Sequence, residues 1–356
     1  MVRVMVVFGG RSGEHEVSLA SARAIAEALQ SSGEYEVVPV GITREGRWIS
    51  SGDPIRELES SPRELPDGST LESPASGPPA TMDEKLPANL EGVDVVFPVL
   101  HGPYGEDGTI QGMLELAGIP YVGSGVLASA VGMDKITMKK IFAHHGLPQV
   151  EWIGLTRREW REGRSFRVRE IEDALGYPCF VKPANLGSSV GISKAEDADD
   201  LAKALDAAAE LDRRLIVEAG VDAREVEVAA LGNEDPKISL PGEISITTNE
   251  FYDYEAKYVE GGMELIVPAE IPDDTADELR RIARDAYKAI DAAGMARVDF
   301  FVERGTGRLL LNEINTIPGF TPTSVYARLW DASGLPYEEL LDCLIQLALE
   351  QHDAKR

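Results

Sequence analysis

The chain has 356 residues, 43% of them hydrophobic and 27% charged, which fits an ordinary globular protein of two or three domains sharing a cleft and excludes a disordered or collagen-like one. A formal net charge of -26 and a pI near 4.6 repel nucleic acid and anionic lipid, so neither is expected as a partner, and any phosphate ligand needs a locally basic pocket. Two cysteines, Cys179 and Cys343, are too far apart in sequence to staple a fold of this size, so a reducing compartment and buried, inert thiols are expected.

The opening MVRVMVVFGG lacks a small-residue cleavage site and predicts a buried first strand over 2–8; with no run near ~18 apolar residues, a soluble cytoplasmic protein is expected. GGRSGEHE then turns into a helix with Leu19, Ala22, Ile25, Ala26 and Leu29 three or four apart, and EVVPVGI is a second strand. Gly9-Gly10-x-x-Gly13 lacks the G-x-G-x-x-G order, and no acidic residue ends the next strand to hold a ribose hydroxyl, so a nicotinamide cofactor is not expected. Glu16 either favours the helix dipole or awaits a substrate ammonium, and Ser18 could cap the helix. Residues 50–87, rich in Ser, Pro, Gly and Glu, predict a long surface excursion before VDVVFPVL at 93–100 resumes the sheet. HGPYGEDG at 101–108 sets His, Glu and Asp among glycines at a strand's carboxyl end, where open α/β sheets place ligands, with a spacing that fits no usual zinc site.

A short strand near 120, a glycine-serine joint at 123–125 and an amphipathic helix closed by Gly146 and Pro148 follow. Strands near 177–182, 190–194 and 213–218 bracket a helix at 196–210 in a compact α+β unit. Within it, KPANLGSSVGISK suggests an anion site without being a Walker loop: Gly187, Ser188, Ser189 and Gly191 leave backbone N–H groups open, and Lys182 adds charge. LIVEAGVDARE offers Glu218 and Glu225 for an adenine amino group and ribose hydroxyls. EVEVAALGN alternates as a strand, and a helix is predicted at 275–293. FYDYEAKY at 251–258 is either a surface loop or a lid carrying Lys257 and Tyr258.

The strongest physical signal is ARVDFFVERGTGRLLLNEIN, a hairpin closed by Gly305-Thr306-Gly307. A three-residue turn centred on Thr306 sets Asp299 opposite Glu313, with Asn315 on the face of Glu313. Arg297 shares that face, which is expected to continue through Phe301, Leu309 and Leu311. Three oxygen donors there suit Mg²⁺, which takes the rest of its shell from water and nucleotide phosphates.

In order, GGRSGEHEVS, HGPYGEDG, GMDKITMK, VKPANLGSSVGISK, EFYDYEAKY, ARVDFF and NEINTIPGFTPTS closely resemble the motifs of the D-alanine:D-alanine ligases of the ATP-grasp superfamily, from Val2 to about Leu347. Departures are confined to 51–87 and the arginine-rich RREWREGRSFRVRE at 157–170. The resemblance implies an α/β and α+β architecture, an ATP-grasp fold preceded by an N-terminal Rossmann-like parallel-sheet domain. Its parts would be 1–122, a central subdomain 123–221, and a C-terminal subdomain 222–356 with a lid loop at about 242–262. Lys182 and Lys139 would touch phosphate oxygens, with Ser188 near the reacting centre and Ser189, Lys257 and Asn312 also in the ATP site. Glu218, Ala219, Val221 and Glu225 would hold adenine and ribose, and Asp299, Glu313 and Asn315 two Mg²⁺ ions, for which Mn²⁺ can substitute.

By the same resemblance, the first D-alanine carboxylate takes the γ-phosphoryl group, and the second D-alanine amine attacks the acyl phosphate; no residue is assigned as the base. Glu16, with His101 nearby, would anchor the first ammonium. Ser188 and Tyr258 would position the lid. Arg297, the backbone of Gly319, and Ser324 with Val325 would hold the second carboxylate. Tyr258 favours the dipeptide over a D-lactate product. A homodimer, K⁺ activation and a role in peptidoglycan precursor synthesis are implied. The rivals are an ATP-grasp ligase for another second substrate, D-lactate or D-serine, and a nucleotide-binding regulator without catalysis.

Overall fold

The computed structural model describes residues 1–60, 92–187, 190–246 and 263–355. The apolar run VRVMVVFG forms β1 (Val2–Gly9), which pairs in parallel with β2 (Tyr35–Ile42) and β4 (Val95–Val99). An antiparallel edge, β3 (Trp48–Ile49), completes the order β3-β2-β1-β4. The connecting α1 (His15–Ser32) buries the five predicted apolar positions and ends at Gly33, whose φ of 70° is left-handed. Gly9 serves the turn into α1: its φ is 89°, and a Cβ there would lie 2.3 Å from the Ile42 carbonyl oxygen. Ser18 does not cap the helix. Buried inside α1, it accepts the Gly9 N–H at 2.7 Å and donates to the Val99 carbonyl, joining the carboxyl ends of β1 and β4.

The excursion after β3 starts as a helix, α2 (Pro54–Ser60), and residues 61–91 lie outside the described residues. The strand expected near 120 is a single bridge between Val96 and Tyr121, following α3 (Thr109–Ala117). The one helix expected up to Gly146 is two, α4 (Val126–Met133) and α5 (Lys135–His144). Asp134 breaks it: its backbone is extended, its side chain accepts the Thr137 N–H at 2.8 Å, and it pairs with Arg214.

The middle sheet, β5 (Trp152–Thr156), β8 (Arg214–Ala219), β6 (Cys179–Pro183) and β7 (Ser193–Ala195), is antiparallel and packs on α6 (Arg157–Leu175) and α7 (Ala198–Leu211). β7 spans three residues, shorter than the expected 190–194 strand. The arginine-rich stretch is the start of α6, opened by a capping box of Thr156 and Glu159, and Arg161, Arg164 and Arg167 pair with Glu210, Asp206 and Glu159. Cys179 is buried, its thiol pushed up to about 11 by burial, while Cys343 is only half-buried.

The third sheet runs β12 (Met263–Ile266), β11 (Gly242–Ile246), β9 (Ala223–Gly232), β13 (Gly294–Glu303), β14 (Leu309–Asn315), with β10 (Lys237–Ile238) beside β9. Against it α8 (Asp273–Ala289) packs Leu279, Ile282, Ala286 and Tyr287. Residues 242–246, expected to begin a lid loop, are strand, and 247–262 lie outside the described residues.

Asp299 does stand opposite Glu313, but through two compensating irregularities. The turn spans Arg304 to Gly307, one residue longer than expected, because Glu303 donates to the Arg308 carbonyl at 2.9 Å. A bulge at Asn312 then restores the register, pairing Phe300 with Leu311 and Asp299 with Glu313. The polar face therefore continues through Phe301 and Leu310, while Leu309 and Leu311 turn into the core with Val298 and Phe300, contrary to the expectation from strict alternation.

Two last helices, α9 (Val325–Ala332) and α10 (Tyr337–Ala354), return to the first sheet: Leu340, Leu344 and Ile345 share one core with Phe8, Ile25, Phe97, Phe320 and Trp330. Among the described residues no helix is long and apolar enough to cross a membrane. Leu344 is fully buried, so Leu344→Ala is expected to cost about 2–5 kcal/mol, read as a lower urea midpoint at unchanged m-value. A midpoint equal to that of the parent would contradict a core shared by the first sheet and the last helix.

Candidate active site

Strand alternation in the third sheet divides its residues between two faces. Val226, Val228, Val298, Phe300 and Ile314 enter the core with α8, whereas Glu225, Glu227, Arg297, Asp299, Glu313 and Asn315 line the cavities on the opposite face. Asp299 sits in register between Glu227 on β9 and Glu313 on β14. Arg297 grips both oxygens of Asp299 at 2.8 and 2.6 Å and reaches Glu227 at 2.9 Å. Burial disfavours its charge, but these carboxylates outweigh burial and hold the guanidinium well above the ordinary arginine value.

A cavity of about 280 Å³ lies between the middle and third sheets. Lys182, Glu218, Ala219 and Val221 line one side, Glu225, Asp299, Asn312 and Glu313 the other, with Phe180, Ile192 and Phe301 as apolar walls. On its floor Lys182 donates to one Glu218 oxygen at 2.6 Å, and Lys139 of α5 faces the other at 3.2 Å. All three side chains are buried. Burial alone would raise the Glu218 carboxyl, yet the two ammonium groups prevail and hold it at about 2. Burial works against both lysines: it wins at Lys139, whose pKa is lowered, while at Lys182 the bond to Glu218 wins and the pKa is raised. Gly187, before the expected anion-binding serines, lines this cavity; Gly191 needs its own residue type, since φ is 75° and a Cβ would lie 2.5 Å from the Leu211 side chain.

A second cavity of about 480 Å³ is lined by Glu16, His101, Arg297, Gly319, Ser324 and Val325. Glu16 is half exposed and paired with Arg44 at 2.9 Å. His101 is buried, its Nδ1 3.0 Å from the Ile317 carbonyl oxygen and its Nε2 without a hydrogen-bond partner among the described residues. Ser324 precedes α9, and its hydroxyl accepts the Thr321 N–H at 3.0 Å; a helix start of this kind suits a carboxylate. The two cavities share Lys135, Gly187, Glu227, Arg297 and Glu313 as a common wall.

Asp299, Glu313 and Asn315 offer only oxygen donors, the chemistry of a hard divalent cation. The Asn315 Oδ1 accepts the Ile317 N–H at 3.1 Å, and both Asp299 oxygens accept from Arg297, but carboxylate and amide oxygens keep further lone pairs. The donor set therefore fits the cation. Among the described residues no three His, Cys, Asp or Glu side chains form a ready-made cluster, so water or phosphate has to complete the shell.

Ser188, Ser189, Lys257 and Tyr258 lie outside the described residues. Reading by motif overlooked Glu14, Glu227 and Lys135, which line the larger cavity together with Glu106, the Glu expected near a ligand in HGPYGEDG. Glu227 was accessible, two residues from Glu225 on an alternating strand, and so was Lys135, one helical turn before Lys139. Glu106 of HGPYGEDG accepts the Gly102 N–H at 3.1 Å with one oxygen, while the other has no hydrogen-bond partner among the described residues. Burial, then the neighbouring Glu14, raises this carboxyl to about 8.

Two antiparallel α+β units facing each other across a cleft lined by both cationic and carboxylate side chains define an ATP-grasp fold, here preceded by a parallel-sheet domain. Residues 3–124 match the family described as D-ala D-ala ligase N-terminus and residues 141–346 the one described as D-ala D-ala ligase C-terminus. The chain belongs to the D-alanine:D-alanine ligase family. A D-alanine–D-alanine ligase of Geobacillus thermodenitrificans is 47% identical over 99% of this chain and 97% of its own length. One of Thermoanaerobacter sp. is 49% identical over 99% and 98%. Among solved structures, the D-alanine–D-alanine ligase of Coxiella burnetii is 37% identical with a TM-score of 0.80, covering 99% of this chain and 95% of its own. A D-Ala:D-Ser ligase of Enterococcus faecalis is 35% identical with a TM-score of 0.81, covering 98% and 99%.

The Glu218 ion triad makes a pH-dependent contribution. Its folded pKa of about 2 lies below the ordinary 4.5, so its stabilisation is complete above 4.5 and is lost as pH falls toward 2. Glu218→Gln, which leaves two buried ammonium groups without their counter-ion, is expected to cost about 3–5 kcal/mol near pH 7. Urea titrations across acid pH are expected to show the variant losing less further stability than the parent between those two values; parallel pH profiles would contradict the triad.

Proposed function

We propose that the protein joins two D-alanine molecules into D-alanyl-D-alanine with ATP, through an acyl phosphate, releasing ADP and phosphate for peptidoglycan precursor synthesis. The observation that carries this reading is the common wall of the two cavities: Arg297, Lys135 and Glu313 line both, so that a nucleotide in one would meet a carboxylate in the other.

In this reading Lys139 and Lys182 receive phosphate oxygens, and Glu218, Ala219, Val221 and Glu225 receive adenine and ribose. Glu16, with His101, takes the ammonium of the first D-alanine. A carboxylate is a poor acyl donor at neutral pH, so it must first accept the γ-phosphoryl group. Charge collecting on that group is offset by Lys182, Lys257 and Arg297. Asp299, Glu313 and Asn315 would hold two Mg²⁺ ions, or Mn²⁺, which supply further charge neutralisation. Arg297, the Gly319 backbone, Ser324 and Val325 orient the second D-alanine by its carboxylate, bringing its amine to the acyl phosphate. Tyr258, Ser188 and the 247–262 segment exclude water, which would otherwise hydrolyse that intermediate. Activation by K⁺, a homodimer, a cytoplasmic location and the division into 1–122, 123–221 and 222–356 complete the proposal.

The likeness to a D-Ala:D-Ser ligase favours D-serine as a second reading for the second substrate, but the more similar relatives at 47–49% identity carry the D-alanine name. A regulator without catalysis is disfavoured because Lys182, Asp299 and Glu313 all face the smaller cavity. A coupled ADP assay with D-alanine, D-serine and D-lactate, the product weighed by mass spectrometry, is expected to give D-alanyl-D-alanine as the main product. ADP release that requires an L-amino acid would overturn the substrate assignment. In the same assay Glu313→Gln is expected to lower turnover by about 10²–10³-fold at unchanged thermal stability; near-parental turnover would refute its role.

A further inference from the structure

Glu16, the second residue of α1, lines the larger cavity and carries the carboxylate proposed for the ammonium of the first substrate. That carboxylate has a cation of the chain's own: Arg44 Nη2 donates to Glu16 Oε1 at 2.9 Å. The two meet because they follow neighbouring strands at one end of the first sheet. Gly9 of β1 stands in register with Ile42 of β2, and the Gly10 N–H donates to the Ile42 carbonyl at 2.8 Å. Glu16 lines the cavity and Arg44 does not, so the guanidinium reaches the carboxylate from outside the lining.

The turn that carries Arg44, between β2 and β3, is closed without the ion pair. Thr43 is buried and does most of this: its N–H donates to the Arg47 carbonyl at 2.9 Å, its carbonyl accepts the Gly46 N–H at 3.0 Å, and its hydroxyl oxygen accepts the Arg47 N–H at 3.2 Å. Gly46 supplies the left-handed backbone, with φ of 93°. Arg44 is therefore presented to Glu16 by a backbone that does not depend on their contact. Both side chains are half exposed, 51% for Arg44 and 52% for Glu16. An exposed pair of this kind is favoured only about 1.4- to 5-fold over its separated form, weakly enough for a ligand to displace it.

We propose that Arg44 is an internal competitor for Glu16, its guanidinium and the ammonium of the first D-alanine being alternative partners of one carboxylate. The dipeptide keeps that ammonium, because the new amide forms at the carboxyl group of the first D-alanine, so Arg44 also competes with the product. A ligand that must displace the guanidinium loses affinity in proportion to the fraction of molecules in which the carboxylate is paired, about two- to sixfold. Arg44 thus sets how tightly the first amino acid is held and how readily the product leaves. The inference rests on the substrate reading above.

The test is initial-rate kinetics of the full chain at saturating magnesium ATP over a wide range of D-alanine, fitted to two amino acid sites, with D-alanyl-D-alanine as inhibitor. Arg44→Gln is expected to lower the KM of the first site and the inhibition constant of the dipeptide by about two- to sixfold each, with the KM of the second site within about 1.5-fold and Tm within about 2 °C of the parent. Arg47→Gln makes the same charge change on the same turn, at a residue paired with Glu57 instead of Glu16, and is expected to stay within about 1.5-fold of the parent throughout. In about 0.5 M salt, which screens exposed charges, the gap between the parent and Arg44→Gln is expected to narrow. A first-site KM in Arg44→Gln unchanged or raised, an equal fall in Arg47→Gln, or a gap indifferent to salt would overturn the proposal. Should Arg44→Gln fail to fold, Arg44→Ala is judged by the same criteria, and failure of both makes Arg44 a fold residue and overturns it as well. A parent that releases no ADP with D-alanine as the sole amino acid defeats the substrate assignment and this inference together; a parent active on D-alanine whose Arg44 variants keep its first-site KM defeats this inference alone.

Discussion

Burying like charges around a shared counter-charge is the constraint on which this site depends. Lys139 and Lys182 close on Glu218, and Arg297 closes on Asp299 and Glu227, so several ionised groups sit in a cleft where none could stay charged alone. The first cluster spans three elements, α5, β6 and β8, and the second spans two, β9 and β13. Charge pairing therefore also fixes the relative setting of the strands that carry it. The arrangement holds the cationic groups in fixed positions, as the proposed binding of a triphosphate requires.

The same constraint explains how a chain of net charge -26 can present a site for an anion. Long-range repulsion is a property of the whole surface, screened within about 10 Å at ordinary ionic strength. Inside the cleft the local groups dominate: Lys135 of α5, Lys182 of the middle sheet and Arg297 of the third sheet line it, and Lys139 of α5 lies buried against Glu218. The carboxylates interleaved with them, Glu313 above all, would repel phosphate unless a divalent cation stood between, which ties the fit of the donor set to the fit of the nucleotide.

The remaining architecture brings the larger cavity, proposed for the amino acids, up to the smaller one, proposed for the nucleotide. The α10 helix packs into the core of the first sheet, and the segment before α9 passes Gly319 and Ser324 along the larger cavity, facing Glu16 and His101. Phe320 seals this junction from beneath, in edge contact with Phe97 of β4 and tilted against Tyr326 of α9. Residues separated by some 300 positions thereby share one cavity.

Periodicity and motif spacing sufficed for the parallel first strand, α1 and the α+β middle unit, because these follow from local alternation and from turn residues that act over a few positions; they paired Asp299 with Glu313 only because two irregularities they did not contain cancel. They misplaced Leu309 and Leu311, since a longer turn and the Asn312 bulge cancel in register but not in facing, and alternation carries no memory of an inserted residue. They also merged α4 with α5, because the break at Asp134 is stabilised by Arg214, distant in sequence. Motif types alone indicated which residues could bind a nucleotide, a cation and a carboxylate. Only the tertiary structure decided that Lys135, Glu227, Arg297 and Glu313 form one wall between two cavities, because facing across strands and burial of charge depend on partners that no local window contains.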